Sequence, residues 1–233
     1  MTGAPPLDGG ALRLAERRAF FFDLDGTLVD SSEAHRRAFE GMLSELAPEL
    51  RAGFDYQRFR GRSTRNTVEA LGPFGAEMEA RMVARKQALY RAAIERGEVR
   101  LFEGAQELVA HLVAHGRALW LVTSASRHAA ETVLARFGLA ESFRGTVGGE
   151  EVRHSKPHPA IFELALQRSG VPREAALTVE DAASGAEASR AAGVDVVLVN
   201  VLDAIGAVGQ RVDEAWRFGT LAAFCDRVRA ELP

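Results

Sequence analysis

Seven side chains suited to chemistry on an anionic group stand at four separate points of the chain. Asp23 and Asp25 lie two residues apart, Thr123 and Ser124 are adjacent hydroxyls, Lys156 precedes Pro157, and Glu180 and Asp181 are adjacent acids. Four carboxylates in one cleft repel one another unless a cation joins them. Hard oxygen donors with no His or Cys among them suit Mg²⁺. A metal together with a lysine suits a phosphoryl group, whose transfer is catalysed mainly by positioning and electrostatics. Asp23 or Asp25 could also serve as nucleophile, because aspartyl-phosphate chemistry needs a carboxylate aimed at phosphorus.

These groups matter jointly only if the fold brings them together. Asp23 ends an apolar run at 19–22, Thr123 follows another at 118–122, and Glu180 follows a third at 177–179. Lys156 lies near the turn after a short run at 146–147, and a further run covers 194–199. Each reads as a strand. Helical patterns stand between them: from a cap at Ser31 or Ser32 to about Leu46, then 76–96, 104–115, 127–137, 160–169 and 185–192, with Gly116, Gly138 and Gly193 as stops. The alternation predicts an α/β fold with a doubly wound parallel sheet. In such a sheet ligands bind beyond the carboxyl ends of the strands, which places all four points on one edge. Residues 34–99 carry no strand pattern and read as an α-helical insertion. The expected domains are therefore 16–33 with 100–233 as the α/β core, and 34–99 as the insertion. Residues 1–15 read as a loose leader.

Composition excludes other classes. The chain has 233 residues, 47% apolar and 26% charged, which suits a soluble globular protein rather than a disordered or fibrous one. A net charge of −3 offers no basic field for nucleic acid or an anionic membrane. The single cysteine, Cys225, rules out an internal disulfide. Apolar runs of about five residues fall far short of the roughly 20 that a membrane helix needs, and the start lacks the apolar stretch of a signal peptide. A cytoplasmic protein is expected, a monomer or weak homodimer, with a small phosphorylated metabolite as partner. Among 29 basic residues only Lys86 and Lys156 are lysine. A composition that fills generic basic positions with arginine makes a retained lysine notable, because lysine is a compact charge where arginine is a planar fork.

Several residues carry simpler readings. An isolated Asp-x-Asp-Gly is most often a turn, and Ser124, Ser126 and Ser184 alone would be helix caps. Asp30 reads as structural in the turn into the first helix. Lys86, in a charged helix, reads as solvated. His35 has two readings, a solvated or capping histidine or one facing substrate. The other histidines have no metal spacing. Arg60, Arg62 and Arg65 flank Gly61 and Ser63; they are either surface charge or reach the distal part of an anionic or polyhydroxylated substrate.

Taken in order, Phe22-Asp23-Leu24-Asp25-Gly26-Thr27-Leu28-Val29-Asp30, Val122-Thr123-Ser124-Ala125-Ser126, Ser155-Lys156-Pro157-His158-Pro159 and Val179-Glu180-Asp181-Ala182-Ala183-Ser184-Gly185 resemble the four motifs of the haloacid dehalogenase superfamily. The second aspartate resembles the phosphatase branch, and the whole is similar to the β-phosphoglucomutase-like group of sugar phosphatases and mutases. That resemblance implies a Rossmann-like core with an α-helical cap domain between the first two motifs. It implies a Mg²⁺-dependent phosphatase of a sugar or polyol phosphate working through a phosphoaspartate. A β-phosphoglucomutase-type phosphomutase and a phosphoglycolate phosphatase are the alternatives.

The roles it implies are specific. Asp23 is the nucleophile, and Asp25 the acid/base whose backbone carbonyl also binds the metal. Ser124, in competition with Thr123, holds the phosphoryl oxygens with the Ala125 N–H. Lys156 pairs with nucleophile and phosphoryl group. Asp181 binds Mg²⁺, with Glu180 as a second acid. His35 and the cap arginines face substrate.

Overall fold

The structure, a computed structural model, describes residues 13–200 and 216–233. Its centre is β1 (Ala19–Phe22), whose side chains alternate between two faces as strand geometry requires. Phe20 and Phe22 enter one buried cluster with Leu119, Leu121, Leu177 and Val179. Ala19 and Phe21 enter the other with Val122, Phe162 and Val194. A strand apolar on both faces belongs in the middle of a parallel sheet covered on both sides. β1 pairs in parallel with β4 (Ala118–Val122) on one side and β6 (Ala176–Glu180) on the other. β5 (Phe143–Val147) and β7 (Asp195–Leu198) complete the order β5-β4-β1-β6-β7. The chain thus works outward on one side of β1 and returns to the other, so β1 sits at the topological switch point.

The helices between strands are α5 (Ala105–Ala114), α6 (Arg127–Arg136), α7 (Ala160–Ser169) and α8 (Ala183–Ala191); α9 (Leu221–Glu231) packs on α5. Before them, α1 (Ser32–Leu46), α2 (Pro48–Arg51), α3 (Thr64–Leu71) and α4 (Ala76–Glu95) form a helical layer. It has its own apolar centre of Phe39, Met42, Leu43, Val68 and Met82. The chain enters and leaves this layer through a small antiparallel ladder, β2 (Val29–Asp30) against β3 (Arg100–Leu101). No described helix is long and apolar enough to cross a membrane.

Four expectations need correction. Of the leader, residues 1–12 lie outside the described residues, but Leu14 is fully buried and its N–H donates to Glu231, because an apolar side chain beside α9 gains by leaving water. Ser31 occupies the cap position of α1, yet its hydroxyl turns away to a stronger acceptor, the Asp25 carboxylate. Ser184 lies inside α8, whose cap position is Ala182. Lys86 is not solvated. It is 3% exposed, on the side of α4 that faces α1, because its neighbours His35 and Phe39 on α1 cover it.

Candidate active site

Asp23 is the first residue beyond β1, and its N–H continues the ladder to Val179 O at 3.0 Å. That bond fixes its backbone, so the carboxylate leaves the sheet edge in one direction. Lys156 arrives from the loop after β5 and spends all three ammonium donors there: on Asp23 Oδ1 at 2.7 Å, Glu180 Oε1 at 2.6 Å and Val122 O at 2.9 Å. Burial works against charge on Lys156, but the Asp23 and Glu180 carboxylates outweigh it and raise its proton affinity. For Asp23 and Glu180 burial dominates and pushes both carboxyls up despite Lys156. One ammonium therefore does not settle the negative charge gathered here.

Asp25, two residues further, faces the same cleft and is held quite differently. Its Oδ1 accepts Ser31 Oγ at 2.6 Å and Tyr90 Oη at 2.8 Å, and His35 Nε2 lies 3.1 Å away, off an ideal hydrogen-bond line. Burial pushes the Asp25 carboxyl up, but His35, Ser31 and Tyr90 together hold it well below the usual carboxylate range. The His35 ring stacks on Tyr90 with centroids 3.9 Å apart, and its Nδ1 lies 2.7 Å from Lys86 Nζ. Burial, then the Lys86 charge, lower the His35 pKa against the pull of Asp25. A neutral ring protonated on Nε2 satisfies both sides, accepting from Lys86 and presenting its N–H toward Asp25.

Asp181 joins the acids from the far side. One oxygen each of Asp23, Glu180 and Asp181 lie within 4.8 Å of one another. Burial, then Asp23, raise the Asp181 pKa, although Arg60 Nη2 from the helical layer donates to its Oδ2 at 2.6 Å. Two glycines keep room for these acids. A Cβ on Gly26, at φ +95°, would come 2.1 Å from Asp181 Oδ2, and one on Gly185 would come 2.1 Å from Glu180 Oε1. A buried cluster of hard oxygens with unsettled charge fits a divalent cation.

The cleft encloses about 50 Å³ and brings together Asp23, Asp25, His35, Arg60, Arg62, Ser124, Ala125, Lys156, Glu180 and Asp181. Arg65 does not line it and faces a neighbouring chamber instead. The competing hydroxyls have separate partners. Thr123 Oγ1 accepts the Ala125 N–H at 3.1 Å, while Ser124 Oγ donates to Gly61 O at 3.1 Å. Lys86, Tyr90, Tyr56 and Ser31 also line the cleft. The rarity of lysine was a signal for Lys86; nothing local marked the tyrosines.

Residues 20–199, which contain all four motifs, match the haloacid dehalogenase-like hydrolase family. Protein CbbY of Rhodobacter capsulatus is 31% identical over 229 residues, covering 94% of this chain and 100% of that protein. The fructose-1-phosphate phosphatase YqaB of Escherichia coli (strain K12) is 32% identical over 189 residues, covering 78% and 95%. The solved structure of CbbY from Rhodobacter sphaeroides in complex with phosphate shares the fold at a TM-score of 0.74 and 26% identity, covering 88% of this chain and 95% of that one. With the strand order, the ends that carry the acids and the sequence all in agreement, the chain belongs to the haloacid dehalogenase-like hydrolases.

Proposed function

We propose that this hydrolase is a Mg²⁺-dependent phosphatase of a small sugar or polyol phosphate, acting through a phosphoaspartate on Asp23. The observation that carries the reading is the pair of unlike aspartates at one strand end. Asp23 is gripped by Lys156 at 2.7 Å, and Asp25 is held apart from it by Ser31, Tyr90 and His35. The fructose-1-phosphate phosphatase among the relatives supports the substrate class.

In this reading Asp23 forms a bond to phosphorus as the substrate oxygen leaves, and Asp25 gives that oxygen its proton. Asp25 then takes a proton from water, whose oxygen attacks phosphorus and frees Asp23. Before substrate enters, Asp25 is ionised, the form that accepts a proton. A doubly negative phosphoryl group beside it raises its proton affinity, so Asp25 takes up one proton from solvent as substrate binds and then donates it to the leaving oxygen. Lys156 positions Asp23 and meets the phosphoryl group through its charge, while Ser124 Oγ and the Ala125 N–H would leave Gly61 O and Thr123 Oγ1 to reach the phosphoryl oxygens. Asp23, Asp181 and the Asp25 carbonyl would hold Mg²⁺, with Glu180 beside them, and the bound cation supplies charge neutralisation at the phosphoryl group.

Residues 34–99 act as a cap. A cleft of about 50 Å³ is far below the roughly 300 Å³ of a small-molecule site, so the cap must lift for substrate to enter. We place the enzyme in the cytoplasm as a monomer or weak homodimer. A phosphate-release screen over sugar, polyol and glycolate phosphates with Mg²⁺ tests the reading. A coupled assay for glucose 1-phosphate to glucose 6-phosphate conversion, if positive without phosphate release, replaces phosphatase by mutase.

A further inference from the structure

The catalytic cleft does not end at Ser124. Thr64, Gln87, Ser124 and Ser126 line the cleft on one side and a second chamber of about 70 Å³ on the other. The wall between the two is therefore made of three hydroxyl side chains and one amide. Beyond it the chamber runs between the helical layer and the loop after β5. Asn66 Nδ2 from the layer donates to Ser155 Oγ of that loop at 2.5 Å and ties the two walls together. Val83 and Val152 are the chamber's apolar residues; the rest of its lining is hydroxyl, amide, backbone glycine or charge.

Gln87 is the informative residue. It sits half-buried on α4 at the junction of both spaces, next to Lys86, and among the described residues its amide has no hydrogen-bond partner. The amide atoms are not fully buried, so they stay open to a guest. The amide supplies one acceptor and two donors, a set that matches a hydroxylated chain passing between the chambers. The charged groups around the chamber are consistent with an oxygen-rich guest. Among the described residues, Arg65 from the layer and Arg153 from the loop line it without an ion pair, whereas the Glu150 oxygens are taken by the Arg127 N–H at 2.9 and 3.1 Å.

Resting on the phosphatase reading, we propose that the second chamber receives the distal hydroxyls of an open-chain polyol or sugar phosphate, with Gln87 hydrogen-bonding the chain where it passes Ser124. A two-carbon phosphate such as phosphoglycolate ends before this point. The chamber therefore selects for length and hydroxylation, and Gln87 is its specificity-determining residue.

The test compares kcat/KM for a six-carbon hexitol phosphate, glycerol 3-phosphate and phosphoglycolate, with p-nitrophenyl phosphate as a reference. Gln87→Met keeps length and helix propensity but removes the amide. The kcat/KM ratio of hexitol phosphate to phosphoglycolate is expected to fall about tenfold, mostly through KM, the size of one or two hydrogen bonds. Arg153→Trp, on the exposed rim, narrows the chamber without touching the core and is expected to lower the same ratio. Thermal melts establish that both variants are folded. An unchanged ratio in both variants, or an equal loss on all substrates, overturns the proposal. A fall seen for a hexose bisphosphate but not for the hexitol phosphate also overturns it, in favour of a second anion held by Arg65 and Arg153. Wild-type protein that releases no phosphate from any substrate, p-nitrophenyl phosphate included, refutes the phosphatase reading instead.

Discussion

The Lys86 ammonium lies 2.7 Å from His35 Nδ1, so the only lysine of the helical layer is buried against the ring that faces Asp25. It lies between two aromatic faces, 4.7 Å from the Phe39 ring centre and 4.9 Å from that of Tyr90. These soften the loss of water but do not replace it.

Stability should register that burial with a definite sign. Burial, opposed by Asp25, lowers the Lys86 pKa from 10.5 to about 8. Below about pH 8 the folded protein carries a buried charge that the unfolded chain keeps in water. Between about 8 and 10.5 the folded state sheds its proton first, so the unfolded state binds more protons and this handicap disappears as pH rises. The handicap is about 3 kcal/mol at pH 7, from roughly 1.4 kcal/mol per pKa unit. Lys86→Met also loses the bond to His35, worth about 1 kcal/mol. A net gain of about 2 kcal/mol at pH 7 is expected, shrinking toward pH 10.5. Denaturant melts at pH 7 and pH 10 check it; a gain that does not shrink contradicts the assignment.

The two aspartates should fail in different ways. Asp23→Asn is expected to form no phosphoenzyme, because an amide is a poor nucleophile. Asp25→Asn should lose roughly 10²- to 10⁴-fold in turnover, the usual size of an acid/base contribution. With a good leaving group it should still accumulate phosphate on the peptide holding Asp23, detected by mass spectrometry after quenching. Phosphate on residue 25 in wild-type enzyme would reverse the roles.

Lysine at 156 should not be replaceable by arginine. Its three donors are directed to three acceptors within 2.9 Å, a convergence that a planar fork cannot reproduce. Lys156→Ala should cost at least about 100-fold in kcat, and Lys156→Arg should fall near it. Near-native turnover in the Arg variant would make the residue structural.

Metal dependence follows from the acids that one ammonium leaves unsettled. A chelator should abolish activity and Mg²⁺ restore it, while Ca²⁺, with looser and higher coordination, should inhibit. Gly26→Ala pushes a methyl against Asp181 and strains a left-handed backbone, so weaker metal binding is expected, read by calorimetry. Full activity in excess chelator refutes the metal site.

The sequence by itself determined the sheet and the acids at its edge, because both are local signals. A strand such as Ala118–Val122 shows its burial in its own composition, and Asp23, Glu180 and Asp181 sit where such runs stop. A parallel sheet has one carboxyl edge, so order along the chain became proximity in space. Boundaries set by pairing were harder. Phe143 joins β5 only because Leu119 lies beside it, a fact absent from residues 143–145 themselves. Tertiary structure alone decided how the helical layer meets that edge. His35 and Lys86 are 51 residues apart, and Arg60 and Asp181 are 121 apart. No periodicity or spacing encodes such contacts, which depend on how α1 and α4 pack and where the β2–β3 ladder aims them. So Arg60 reached the acids while Arg65, five residues on, turned to the second chamber. The charged helix that looked solvated hid a buried lysine for the same reason: a helix shows its pattern in sequence, but only its neighbours decide which face leaves water.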